Sequence, residues 1–144
     1  MIKKSHFVDV ERIEDKLSDL VRYAEELEED LPNLTVFKKE RIQRRGVEKT
    51  IELIADTIVD VALLVISEKG WEKPADSREA ITLLEREKIL PADLSERVKD
   101  LVSFRNLLVH RYGKIDENRE FKSIVEGTPD ISLFVSCILT FLKK

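Results

Sequence analysis

The sequence predicts an all-α fold, an antiparallel bundle of five to six helices in a single domain over residues 1–144. Glycine and proline together number 8 of 144 residues, whereas an average chain contains about 12% of the two. Sandwiches and barrels need these residues at their turns. Apolar residues recur at helical spacing, and no segment sustains the two-residue alternation typical of strands. Connections between the apolar segments are short, which favours antiparallel packing of consecutive helices.

Two long helices are predicted in the first half of the chain. Residues 8–30 carry an amphipathic pattern that Pro32 interrupts. The next pattern predicts a helix over roughly 36–68. Its second half, Ile58–Ile66, is apolar on almost every side except at Asp60. Such a segment is typical of the central helix of a bundle.

The second half of the chain predicts shorter helices, which are recognised by the residues at their starts. Asp76 and Asp116 are typical N-cap residues, and Pro91 suits the first position of a helix. Thr128 is a typical N-cap residue, and Pro129 after it suits the first helical position. We therefore expect the last helix to begin there. The predicted helices are 77–88, 91 to about 112, about 117–126, and 129 to the C-terminus.

Composition excludes several classes of protein. The single cysteine, Cys137, cannot form an intramolecular disulfide or a multi-cysteine zinc site, and two histidines are a poor basis for any metal site. The longest apolar run, Val61–Ile66, is far below the ~20 residues of a membrane span. The basic N-terminus lacks the apolar segment of a secretory signal. We therefore expect a cytoplasmic protein with no membrane contact, no metal and no cofactor. The net charge of −4 argues mildly against nucleic-acid binding.

The fourth predicted helix carries a charged residue within its apolar face. At about 100° per residue, Arg105 lies near the centre of a broad apolar stripe. An arginine in this place must extend to solvent, pair with an acid or line a polar cleft. Such violations of the polar–apolar pattern are expected at functional sites, and a structural ion pair is the alternative. The stripe contains Leu94, Val98, Leu101, Leu108, Val109 and Tyr112.

A polar stripe of Ser103, Asn106 and His110 lies on another side of this helix. His110 comes five residues after Arg105, about 140° round a regular helix. The two side chains of one chain therefore cannot point into one small site. They could converge if the helix loosens before Gly113, or if a two-fold axis brings a second copy alongside. The symmetric dimer is the simpler route, because the same patch then supplies both halves of a composite site.

Arginine and histidine together suit chemistry at a phosphodiester. A guanidinium binds phosphate through two parallel hydrogen bonds, and a histidine can take a proton from a hydroxyl and return one to a leaving group. With Arg105 neutralising charge on the phosphate and His110 deprotonating a 2′-hydroxyl, RNA could be cleaved without a metal ion. The residues alone are compatible with this reaction and do not specify it.

The segment Arg105–Tyr112, with the sequence RNLLVHRY, resembles the R-x4-H-x-Y motif of the HepT-like proteins in the HEPN superfamily. Asn106 fits the polar residue that follows the arginine in that superfamily. The resemblance covers nearly the whole chain, because the long helix with Glu48 and Asp60 also looks like the second helix of the family. It implies a HEPN-like helical domain that forms homodimers, with Arg and His of both chains lining an interface cleft.

The resemblance also implies an activity and partners. The protein would be a metal-independent endoribonuclease, the toxin of a type VII toxin–antitoxin pair, with RNA as its substrate. Arg105 and His110 would be catalytic, and Asn106 would assist in positioning. A nucleotidyltransferase antitoxin would transfer AMP to Tyr112, and the dimers could pair into larger assemblies. One alternative is a non-catalytic dimeric partner of a nucleotidyltransferase, which binds nucleotide or RNA without cleaving it.

Two groups of charged residues around the motif have two interpretations each. Asp56 and Asp60 form either a solvated acidic stripe or, with Asp60 in the cleft, a support for the motif arginine. Arg111 would add to the positive charge of the cleft, which we expect to be positive although the molecule is acidic. The basic run 38–45 contains five cations and one acid. It is either a solvated helix face or a contact surface for the RNA backbone.

Overall fold

The computed structural model describes residues 2–110 and 115–144, with side chains from residue 10 onward. Within these ranges the chain forms six α-helices and no strand, which confirms the predicted all-α class. The predicted stop at Gly113 lies outside the described residues. The helices are α1 (Ile2–Asp30), α2 (Leu34–Lys39), α3 (Arg41–Lys69), α4 (Ser77–Arg86), α5 (Ala92–His110) and α6 (Glu117–Leu142).

Helix α3 is the centre of the bundle, as its apolar second half predicts. It contacts α1, α2, α4 and α5. Ile58, Val61, Ala62 and Val65 are completely buried, so neighbouring helices cover it on several sides. Burial of each large aliphatic side chain stabilises the fold by roughly 1.5–3 kcal/mol. The stability of the bundle therefore depends on the helices that pack around α3.

The single helix predicted over 36–68 is instead two helices, and this prediction is wrong. Glu40, with φ −94° and ψ 90°, separates α2 from α3. In one continuous helix Phe37 would lie about 80° round the axis from Val47, the first residue of the buried face. The break lets Phe37 become fully buried against the edge of Phe121 on α6, at 5.4 Å between ring centroids.

The break predicted at Thr128 and Pro129 is also wrong, because α6 continues through both residues. Loss of one backbone hydrogen bond at a helical proline costs ~3 kcal/mol. The buried face, however, runs without interruption from Ile124 to Ile131 and on to Phe134, so packing favours one helix over two. The Thr128 hydroxyl donates to the Ile124 carbonyl at 2.7 Å within the helix instead of capping a new one.

By length and composition alone, α6 could cross a bilayer. This helix contains no long unbroken apolar run, because charged residues at its start and Pro129 interrupt the pattern. In this fold Ile131, Phe134 and Ile138 of α6 are buried in the common core. A core helix passes the same test, so α6 is weak evidence for a membrane span.

Helices α3 and α5 run antiparallel, which fixes the geometry of the site. Lys69 at the end of α3 lines a cavity together with Ala92 at the start of α5. Asp56 and Arg105 form an ion pair. From the cavity to the ion pair, the chain runs back 13 residues along α3, from Lys69 to Asp56. It runs forward 13 residues along α5, from Ala92 to Arg105. The carboxyl end of α5 therefore lies beside the first half of α3.

We expect Lys88→Gly to stabilise the fold by about 0.5–1 kcal/mol. Lys88 follows α4 in the left-handed conformation, with φ 62°, and its amide donates to the Glu85 carbonyl at 2.9 Å. Glycine adopts this conformation without the steric cost of a Cβ atom. Urea unfolding checks the change. Lys88→Ala is the control, because it removes the charge but keeps the Cβ atom, and an equal gain in both variants would contradict the backbone explanation.

Candidate active site

A groove of about 460 Å³ lies between α3 and α5, and Ser77 at the start of α4 also lines it. Its apolar floor is formed by small and aliphatic residues of the two helices. The polar side chains around it come from all three helices, so the tertiary fold assembles the site. These polar residues are Asp56 and Asp60 of α3, Ser77 of α4, and Arg105 and Asn106 of α5.

Arg105 both pairs with an acid and lines this groove. Its Nε atom lies 2.9 Å from Oδ1 of Asp56, and its Nη1 donates to Oδ1 of Asn106 at 3.2 Å. The Nε atom is buried and makes no aligned hydrogen bond among the described residues, so charge rather than hydrogen-bond geometry holds this pair. The side chain is 29% exposed. The guanidinium is thus oriented by two neighbours and remains open to the groove.

Asp56, rather than Asp60, is the acid that contacts Arg105. Asp60 lies one turn further along α3 and lines the same groove. Its carboxylate pairs with Nζ of Lys16 on α1 at 3.3 Å. The sequence places both acids on one face but does not say which of them α5 meets, because the register between α3 and α5 depends on packing.

His110 is the last residue of α5 and is exposed. The helix is regular from Ala92 to His110, so no loosening brings His110 round toward Arg105. It lies about 7.5 Å further along the axis and about 140° round it. The structure therefore does not bring Arg105 and His110 of one chain together. Arg111 and Tyr112 lie outside the described residues.

Arg78 of α4 is a further cation that contacts α5 beside the groove without lining it, and the sequence did not identify it. Its Nη1 donates to Oγ of Ser103 at 2.6 Å and to the Lys99 carbonyl at 3.0 Å. Ser103 belongs to the polar stripe that contains Asn106 and His110. No sequence signal identifies Arg78, because it lies in the first turn of an ordinary capped helix and meets α5 only through the fold.

Other candidate ligands do not assemble in the described part of the chain. Among residues 10–110 and 115–144, no three side chains of His, Cys, Asp or Glu come close enough to hold a metal ion. Cys137 is half-buried on α6, and burial raises the pKa of its thiol. A raised pKa keeps the thiol protonated and unreactive.

Two proteins that are similar to this chain in sequence are named as nucleases. The "tRNA nuclease HepT" of Aphanizomenon flos-aquae is 27% identical over 131 residues, which cover 90% of this chain and 89% of that protein. The "mRNA nuclease HepT" of Shewanella oneidensis is 21% identical over 123 residues, which cover 85% of this chain and 92% of that protein.

A solved structure shares the fold. The tri-AMPylated HEPN toxin of Shewanella oneidensis, in complex with an MNT antitoxin, superposes with a TM-score of 0.84 at 20% identity. The match covers 89% of this chain and 96% of that toxin. The model of the family described as "Ribonuclease HepT-like" matches residues 13–138. Since this match includes most of the chain, the protein belongs to the ribonuclease HepT-like family.

Proposed function

We propose that the protein is a metal-independent endoribonuclease, the toxin of a type VII toxin–antitoxin pair, acting in the cytoplasm as one HEPN-like domain per chain. One observation carries the proposal. Arg105 interrupts an apolar helix face, and Asp56 and Asn106 orient it in an open groove. The relatives named as tRNA and mRNA nucleases support RNA as the substrate.

The reaction is a transesterification at the RNA phosphodiester. His110 takes the proton of the 2′-hydroxyl, and the 2′-oxygen attacks the adjacent phosphorus. The bond from phosphorus to the 5′-oxygen breaks, and that oxygen takes up a proton. The products are a 2′,3′-cyclic phosphate and a 5′-hydroxyl. Arg105 neutralises the charge that develops on the phosphate oxygens, and Asn106 holds Arg105 in place.

The complete site belongs to a homodimer in this proposal. Arg105 and His110 of one chain point away from each other on a regular helix, so the histidine of one chain would complete the groove of the other. One observation supports a two-fold axis beside the end of α5. Val109 lies one turn beyond Arg105 and about 40° from it round the helix axis, and its side chain is 41% exposed. An exposed apolar side chain close to a site favours an interface.

The antitoxin partner would be a nucleotidyltransferase that adds AMP to Tyr112. The tyrosine oxygen attacks the α-phosphorus of ATP, and pyrophosphate leaves. Tyr112 is two residues beyond His110 in the chain, so the new phosphate would add bulk and negative charge close to the RNA phosphate. The tri-AMPylated state of the similar HEPN toxin supports this form of control.

Co-expression with the nucleotidyltransferase tests both the partner and the modified residue. We expect the intact mass of the wild type to rise by one or more AMP groups and its RNA cleavage to fall, whereas Tyr112→Phe gains no AMP and continues to cleave RNA. Tyr23→Phe on α1 is the matched control and should behave as the wild type. An unchanged mass in the wild type, or an equal gain in Tyr112→Phe, would contradict this assignment.

Asp56→Ala should lower kcat by about tenfold with a smaller effect on KM, because the variant loses the charge that orients Arg105 and keeps Arg105 itself. Asp60→Ala is the matched control, since it removes the same group from the same face one turn away. Initial rates on a labelled RNA measure both variants. If Asp60→Ala loses as much activity as Asp56→Ala, general electrostatics rather than orientation of Arg105 explains the loss.

A further inference from the structure

One face of α3 changes from basic to acidic along its length. At 100° per residue, Arg45 and Lys49 lie within about 20° of Asp56 round the axis, and Arg41 lies about 60° away. All three cations are exposed, and the Lys49 side chain is 66% exposed. The second half of the same face carries Asp56, where Arg105 is held. We name the three cations Arg41, Arg45 and Lys49 the basic stripe.

The basic stripe lies at the same end of the bundle as His110. Arg105 is level with Asp56, and α3 and α5 are antiparallel. A step of five residues along α5 to His110 therefore corresponds to five residues back along α3, which reaches Ile51. His110 is thus level with the turn of α3 that carries Lys49. The cations begin where α5 ends, on the face of α3 that holds the arginine.

The neighbouring cation Arg44 serves the fold instead. Its Nη1 donates to the carbonyls of Phe37 and Lys38 at 2.9 and 3.0 Å, and it lies 3.7 Å from Glu117. The side chain of Arg44 is only 16% exposed. The basic run seen in the sequence therefore divides into one structural arginine and a set of exposed cations that make no ion pair among the described residues.

The charges of the basic stripe are available to a ligand. Lys49 lies 4.0 Å from Glu52, the outer limit of an ion pair. Among the residues that the structure describes, no ion pair joins Arg41 or Arg45 to an acid. Exposed cations without close acidic partners attract a polyanion over a distance set by ionic strength.

The spacing of the stripe suits a linear polyanion. Its members are four residues apart, so they follow one another at about 6 Å along the axis and reach from ~10 to ~22 Å from Asp56. A strand of RNA presents one negative charge per nucleotide along its backbone. The acids in the second half of α3 would repel the same backbone, so the strand would follow the first half of α3 rather than the second.

We propose that the basic stripe binds the RNA backbone on one side of the phosphate held at Arg105, so that several nucleotides beside the cleaved bond lie along the first half of α3. The inference rests on the proposed function, because Arg105 defines where the cleaved phosphate lies. It also explains how a chain with a net charge of −4 binds RNA, since the contact depends on local rather than total charge.

The experiment measures RNA binding as a function of salt. Arg41→Gln, Arg45→Gln and Lys49→Gln are combined in the Arg105→Ala background, which prevents cleavage of a single-stranded RNA probe. We expect the triple change to weaken Kd by about tenfold or more and to reduce the slope of log K against log salt by about 2. The matched control combines Lys73→Gln, Arg86→Gln and Lys88→Gln, which remove three exposed cations elsewhere and should leave the slope unchanged.

Three results would overturn the inference. The triple variant could retain the slope of its Arg105→Ala parent, or the control could lose as much of the slope. The triple change could instead leave RNA binding intact and abolish co-purification with the antitoxin, which would make the stripe a protein-docking surface. Cleavage by the otherwise wild-type protein is measured in parallel. If the wild type cleaves RNA but the triple variant keeps the salt slope of its parent, only the role of the basic stripe is refuted. If the wild type does not cleave RNA, the proposed function is refuted.

Discussion

Arg105→Ala should lower kcat/KM for RNA by about 10³-fold or more and leave the fold intact. The reason for the loss is that the guanidinium is the charged group oriented toward the groove, and removal of one preorganised donor at a developing negative charge costs about 10²–10³ in rate. An arginine at a transferring phosphoryl group contributes about 10³–10⁵. The fold should survive because the pair is only partly buried, with Arg105 29% and Asp56 52% exposed, and ion pairs that remain open to solvent contribute only ~0–1 kcal/mol to stability.

Cleavage of a labelled RNA and thermal unfolding of the same samples measure this prediction. Arg86→Ala is the control, because it removes the same side chain from an exposed position on α4 and should change neither quantity. If Arg105→Ala unfolds at a much lower temperature, or loses its dimer while retaining the activity of the remaining folded protein, Arg105 is a structural ion-pair residue. Normal cleavage by a folded variant would remove Arg105 from the mechanism.

His110→Ala should lower kcat by about 10²–10⁴-fold, the usual contribution of general acid–base catalysis. His110 is exposed at the end of α5, so its removal should alter the melting temperature little. Binding of RNA should persist, because a proton-transfer residue acts mainly in the transition state. Fluorescence anisotropy measures that binding, and single-turnover cleavage measures the chemical step.

His6→Ala is the matched control for His110→Ala, since the chain contains two histidines. It should cleave RNA at the rate of the wild type. If His110→Ala loses RNA binding as strongly as it loses cleavage, the histidine is a binding residue. If both histidine variants cleave normally, another group must accept the proton of the 2′-hydroxyl.

The starts of α4 and α6 could be predicted from sequence because local capping decides them. The Asp76 and Asp116 side chains accept hydrogen bonds from backbone amides of α4 and α6, as predicted. At Pro129 the local signal led to a wrong prediction, because tertiary packing rather than capping decides the structure there. Its local preference for a helix start competes with a buried face that is continuous through α6, and packing across the bundle outweighs one lost hydrogen bond.

The candidate site likewise contains one residue that its own helix identifies and others that only contacts between helices identify. Arg105 was recognisable because a charge in an apolar face needs a partner or a cleft, and it has both. Its partner was not recognisable, because Asp56 and Asp60 share one face and differ by one turn in the register with α5. Arg78 was missed because only the contact of α4 with α5 brings it to Ser103.

The total charge is the least informative feature of the sequence for function. A net charge of −4 mildly opposes nucleic-acid binding, yet Arg105, the basic stripe and Arg78 are cations close to the groove or to the helix face that borders it. The spatial order of charge depends on the antiparallel contact of α3 with α5, which composition does not contain.

One measurement tests the composite site most directly. Arg105→Ala and His110→Ala chains, each inactive as a homodimer, are co-expressed with different affinity tags, and the mixed dimer is isolated through both tags. If each site combines Arg105 of one chain with His110 of the other, the mixed dimer contains one intact site of two and should recover about half of the wild-type cleavage rate. A mixed dimer as inactive as its two parents, beside an active wild type, would contradict the account.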